Sequence, residues 1–188
     1  NEVEQRSLAL NLGADDFIVK PFDFSRLERL TRLQALHLTI QGNADPLELS
    51  ALSAVTSLVV NDAPVATFPT ALVECSVPLS SDTDFSPLTR LTRLRVSFKR
   101  NVGLTLPIQL RALVVGEGWW SQSNVAEVPL ETFESEGNHP LTPEVLGRLP
   151  KTLRSVDGWF IPDSLELSLR EIFPLVTTSV RDKTSPFE

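Results

Sequence analysis

Residues 23–33 read DFSRLERLTRL and residues 84–94 read DFSPLTRLTRL, identical at nine of eleven positions across an offset of 61 residues. An offset of that size is about three units of twenty residues, so self-similarity is the first thing to test along the whole chain. Taking Leu36 and Leu94 as equivalent anchors, one pattern recurs: an apolar residue three before the anchor and another two after it. The triplets are Leu33/Leu36/Leu38, Val55/Leu58/Val60, Leu72/Cys75/Val77, Leu91/Leu94/Val96 and Leu110/Leu113/Val115. Weaker copies follow at Leu130/Phe133/Ser135 and Leu153/Val156/Gly158, where the last position has lost its apolar side chain. Successive anchors from Leu36 to Val156 are 22, 17, 19, 19, 20 and 23 residues apart.

The step of two after each anchor is the period of a strand with one face buried. A single such strand buries half of itself, whereas stacked copies bury a continuous apolar row and leave only the terminal edges unpaired. Pro69, Pro107 and Pro150 each stand three residues before the first apolar position of a triplet. Proline fixes φ and donates nothing to a ladder, so it suits a curve just ahead of a strand. Each unit therefore reads as outer segment, turn and short strand. A rival reading holds for Leu27, Leu30, Leu33 and Leu36, whose steps of three also fit one face of an amphipathic helix. A strict three-residue step drifts around a helix, and the change to a two-residue step at Leu36/Leu38/Ile40 favours strand.

Composition bounds the function. At 188 residues the chain suits one domain or one repeat array, and no apolar run reaches the roughly 20 residues of a membrane-spanning helix. A formal charge of −7 argues against nucleic acid as partner, since that binding depends on Lys and Arg displacing counterions. The single cysteine, Cys75, excludes an intrachain disulfide framework and a cysteine-based zinc site, and suits a reducing, cytoplasmic compartment. The first residues, Asn1 to Glu4, do not read as a secretory leader.

The phrases LERLTRLQALHLTI (27–40), LSALSAVTSLVV (49–60) and LPIQLRALVV (106–115) resemble leucine-rich-repeat proteins, especially the short bacterial-type repeats. The resemblance covers about residues 24–160. It implies an α/β repeat fold: a curved solenoid with short parallel strands on its concave face, irregular convex segments, and recognition of proteins on that face. The chain departs from the family at the turn asparagine. Five residues after the anchors stand Gln41, Ala63, Ser80, Lys99, Gly118, Asn138 and Ile161, so only Asn138 matches and irregular turns are expected.

A second, local resemblance is carried by LNLGADDFIVKPFDFSRL (10–27), which looks like the end of a response-regulator receiver domain. That family's lysine falls on Lys20 and its following proline on Pro21, but the acidic pair, phospho-accepting aspartate and hydroxyl switch are missing. Residues 1–23 then have two readings: a receiver-like remnant, or an N-terminal cap in which Leu8, Leu10 and Leu12 form a degenerate first strand. At the other end, Asp163 and Ser164 precede Leu165, Leu169, Ile172 and Phe173 at helical spacing, with Pro174 as a stop. Residues 161–188 are expected to be a capping helix with Trp159 beneath it, then a loose tail from Thr177.

Catalytic chemistry is not legible. Gly116-Glu117-Gly118 lacks the lysine of a phosphate loop, and His37 and His139 stand far apart with no ligand spacing near either. Asp15-Asp16 and Asp82/Asp84 sit in turn-like contexts that their backbone bonding explains. No cofactor, metal or small-molecule substrate is expected. In the strand register the concave face displays Arg93, Arg95, Ser97 and Lys99 in the middle and Glu134 and Glu136 toward the C-terminal side. That basic-to-acidic gradient and the adjacent Trp119 and Trp120 make the candidate binding residues for a protein partner, because neighbouring tryptophans point to opposite sides of a strand. The function expected is a non-enzymatic, monomeric interaction scaffold. The alternatives are a signalling-output relic of a receiver protein and an orphan repeat without a partner.

Overall fold

The computed structural model describes residues 32–40, 45–98, 102–116, 120–136, 143–158, 172–173 and 176–180. These form a parallel β-solenoid. Its long wall is an eight-stranded sheet built from β1 (Ala35–Thr39), β3 (Ser57–Asn61), β5 (Glu74–Leu79), β7 (Arg93–Phe98), β9 (Ala112–Val115), β11 (Thr132–Ser135), β12 (Ser155–Gly158) and β13 (Thr177–Val180), neighbours in that order. Between them the chain returns through β2 (Leu47–Glu48), β4 (Val65–Thr67), β6 (Thr83–Asp84), β8 (Val102–Thr105) and β10 (Trp120–Ser123). The return strands form a second wall of two small sheets, β2-β4 and β10-β8-β6.

Every anchor read from the sequence lies in one line. Leu36 pairs with Leu58, Leu58 with Cys75, Cys75 with Leu94, Leu94 with Leu113, Leu113 with Phe133, and Phe133 with Val156. The alternation is explicit in β7, where Leu94, Val96 and Phe98 are buried while Arg93, Arg95 and Ser97 are exposed. A one-residue slip would turn the whole apolar row to solvent, which is why the register holds through units of 17 to 23 residues.

In residues 85–91 and 49–55 the three-residue step is neither helix nor strand, while Leu27 and Leu30, where a helix was the rival reading, lie outside the described residues. Leu88 N–H donates to Phe85 O at 2.9 Å and Leu91 N–H donates to Leu88 O at 3.0 Å, two consecutive tight turns that deliver the chain to β7. The same device precedes β3, where Leu52 N–H reaches Leu49 O and Val55 N–H reaches Leu52 O. Each turn drops one leucine or valine into the core, and Leu88, Leu91, Leu49, Leu52 and Val55 are all buried. The prolines act as expected at this place: Pro107 and Pro150 are buried, and their carbonyls accept from Leu110 and Leu153.

Three expectations are corrected. The α/β class gives way to an almost wholly β structure among the described residues, whose helix amounts to α1 (Pro143–Gly147), the single turn at Val125–Glu127 and an isolated helical position at Ile172. The segments expected to be irregular on the convex side contain short parallel strands, because the apolar Leu47, Val102 and Leu104 line a second wall. The tail expected to be loose from Thr177 starts as β13, paired residue for residue with β12. The capping helix falls mostly outside the described residues, though Phe173 is fully buried in the core. Residues 1–31 lie outside them entirely, and with them both readings of the N-terminal segment.

The second wall breaks between β4 and β6. The unit from Leu58 to Cys75 is the shortest at 17 residues, and it leaves β3 through Asp62, whose φ of 65° lies in the left-handed region that aspartate tolerates better than most residues. Across the break the rings of Phe68 and Phe85 pack with centroids 5.0 Å apart, so apolar contact replaces the missing ladder.

Candidate interaction face

The outward side of the long wall is formed by residues one before, one after and three after each anchor. Strand geometry stacks these as rows across the sheet, about 4.8 Å between neighbours. The first row runs Ala35, Ser57, Glu74, Arg93, Ala112, Thr132 and Ser155; the next runs His37, Val59, Ser76, Arg95, Val114, Glu134 and Asp157. The structure thus brings Arg93, Arg95, Ser97, Glu134 and Glu136 onto one face, as the sequence register requires. Lys99 and Trp119 lie outside the described residues. Trp120 opens β10, so its backbone belongs to the second wall, paired with Val102.

The basic centre is not an unopposed charge. Arg93 and Glu74 stand directly opposite on β7 and β5 and form an ion pair. Arg95 Nη2 lies 2.6 Å from Oε2 of Glu136, which follows β11, so the two side chains together bridge β9. Two strand spacings are about 9.5 Å, a gap the arginine and glutamate side chains close between them. The crossing passes a place where β9 offers little bulk: Val114 and then Gly116, where an added Cβ would lie 3.1 Å from Ser97 Cβ. The gradient expected from the linear sequence is therefore folded up into pairs.

Around the arginines the surface is shallow and partly apolar. A depression of about 260 Å³ is floored by Ser57, Val59, Ser76, Ala112 and Val114, with Arg93 and Arg95 the basic residues in its lining. The floor residues are half-buried even though they face outward. Beyond them, Asn61 contacts His37 at 3.1 Å and donates to Thr39 Oγ1 at 3.2 Å, a polar cluster that occupies the β1 end of the face.

The second wall carries a larger depression of about 540 Å³ whose lining includes Asp82, Asp84, Asn124 and Glu127. Its polar groups are engaged with backbone. Asp82 Oδ1 accepts from Gly103 N–H at 2.6 Å, and Asp84 Oδ1 accepts from Ser86 N–H at 2.9 Å. Asn124 accepts from Leu106 N–H at 2.7 Å and donates to Leu106 O at 3.0 Å, closing a two-bond clasp on the neighbouring turn. Thr67 Oγ1 accepts from Leu49 N–H at 3.1 Å and donates to Glu48 Oε2 at 2.7 Å. The backbone bonding expected of Asp82 and Asp84 is present, whereas Thr67 and Asn124 were not singled out in the sequence. Asn124, which fastens its turn, stands eleven residues after the anchor Leu113.

Among the described residues no group of three His, Cys, Asp or Glu side chains converges on a point where a metal ion would sit. Cys75, an anchor of β5, is buried, and burial pushes its thiol up to about 12, so it packs as a small apolar side chain. No described helix is long and apolar enough to cross a membrane. No protein-family model matches the chain, and comparison with curated proteins finds no match.

Proposed function

We propose that this chain is a non-enzymatic protein-interaction scaffold of the leucine-rich-repeat kind, taking its partner on the outward face of the long wall. The observation that carries the proposal is the half-buried floor of Val59, Ser76, Ala112 and Val114 around two arginines held only by surface ion pairs. Small side chains on rigid strands give a surface that needs no rearrangement before binding, which lowers the ordering cost of association. Exposed arginines beside apolar floor are a composition that recurs at interface centres.

Partner capture from a native extract tests it by comparing wild type with Val114→Arg, which fills the floor, and Asp84→Asn, on the other wall. The expected result is a protein recovered with wild type and Asp84→Asn and lost with Val114→Arg. Equal recovery by all three places binding elsewhere and ends this reading.

A further inference from the structure

We infer that Glu136 is an internal stand-in for a ligand carboxylate, and that the face takes an extended acidic segment whose carboxylate displaces Glu136 from Arg95. The inference rests on the proposed binding face and adds the chemistry of its occupant.

The argument starts from what the Arg95–Glu136 pair does not need to do. Neighbouring strands in this sheet already have a complete ladder and a continuous apolar row, and the pair joins two strands that are not neighbours. The Arg95 side chain is 57% exposed and that of Glu136 25%. An ion pair so open to water contributes little to stability, so its exchange for another carboxylate is close to neutral. What the pair does accomplish is geometric: it draws the Arg95 guanidinium toward β11 past Val114, at the edge of the apolar floor.

Guanidinium geometry selects the occupant. Its planar fork matches a carboxylate at two points. Arg95 is the arginine whose partner lies outside the depression, since Arg93, two residues away on the same face of β7, pairs with Glu74 in the lining itself. Among the described residues Arg93 and Arg95 are the basic side chains of the lining and Glu74 the acidic one, and the apolar residues beside the arginines suit aliphatic side chains flanking an acidic one. In an extended segment, residues two apart share a face. A sequence with an acidic residue between two aliphatic ones, at alternate positions, lays all three onto this floor. A basic segment meets two arginines against the single carboxylate of Glu74 in the same lining, so it is disfavoured there.

Binding of two fluorescein-labelled peptides, Ser-Val-Ser-Glu-Ser-Val-Ser and the same with lysine for glutamate, distinguishes the possibilities by fluorescence anisotropy. Wild type should bind the acidic peptide in preference to the basic one. Removing the internal competitor with Glu136→Gln should tighten that binding by about twofold to fivefold, the range corresponding to a surface ion pair. Arg95→Gln should weaken it, Arg111→Gln should leave it unchanged, and all four proteins should melt alike because ion pairs this open to water contribute little to stability. Preference for the lysine peptide, no binding of the acidic peptide by wild type or Glu136→Gln, or unchanged or weaker binding by Glu136→Gln would overturn the inference. The underlying face fails separately if Val114→Arg, which fills the floor, leaves peptide binding intact.

Discussion

The two walls of this solenoid are made by the same chain in alternation, yet they are held by different means. The long wall pairs eight strands without interruption, each anchor beside the next, with a buried row of Leu, Val, Cys and Phe behind it. The second wall has strands of two to four residues in two separate sheets, fastened by side chains that reach into backbone: Thr67, Asp82 and Asn124. The lesson is that a solenoid needs only one wall of regular pairing to set its stacking. Once that register is fixed, the return path accommodates units of 17 to 23 residues by local fastening.

The largest difference between the walls should appear as thiol protection. Cys75 sits in the long wall with its thiol pushed from an ordinary value of 9.0 to about 12, which at pH 8 leaves roughly a thousandfold less thiolate. Labelling with a thiol reagent should proceed only as fast as the protein opens, and rapid labelling of native protein would show the long wall to be loose. The sign of the pH dependence follows. Folding keeps the thiol neutral, so its contribution is complete below about pH 9 and is lost as pH climbs from there toward 12. Stability measured by urea titration should fall across that range, and less so in Cys75→Ala.

Next in size is the apolar row. Leu94 is 1% exposed at the centre of the long wall, and Leu94→Ala should cost about 2–5 kcal/mol in chemical denaturation. The smallest effect belongs to the second wall. Asn124→Ala removes a two-bond clasp on Leu106 in a partly buried setting and should cost about 1–3 kcal/mol. If Asn124→Ala proves as damaging as Leu94→Ala, the second wall is a partner in setting the stacking and the contrast between the walls falls.

The two walls also differ in how far they were legible. The long wall could be read because its signal is local and repeated: an apolar pair two residues apart, preceded by another three earlier. The second wall could not, since β2 and β6 are two residues long and offer no alternation to detect. Asn124 and Asp82 gained their roles from partners 18 and 21 residues away, at distances that vary with unit length. The face was legible in membership but not in charge state. Arg93, Arg95, Glu134 and Glu136 were correctly placed together, while the pairing of Arg95 with Glu136 joins strands that are not neighbours, which the register of adjacent strands does not predict. β13 was missed because Thr178, where an anchor would stand, carries a hydroxyl.

The parallel ladder also decides how the molecule would respond to being pulled along its stacking axis. Load applied that way falls on one interstrand seam at a time, since each strand of the long wall bonds only to its immediate neighbours. A unit of 19 residues rises about 4.8 Å along the axis when folded and spans about 65 Å when drawn straight. Each seam that parts therefore releases about 60 Å of slack before tension returns to the next. The protein would yield as a series of short, low-force steps, a built-in shock absorber whose stroke is set by the length of its repeat.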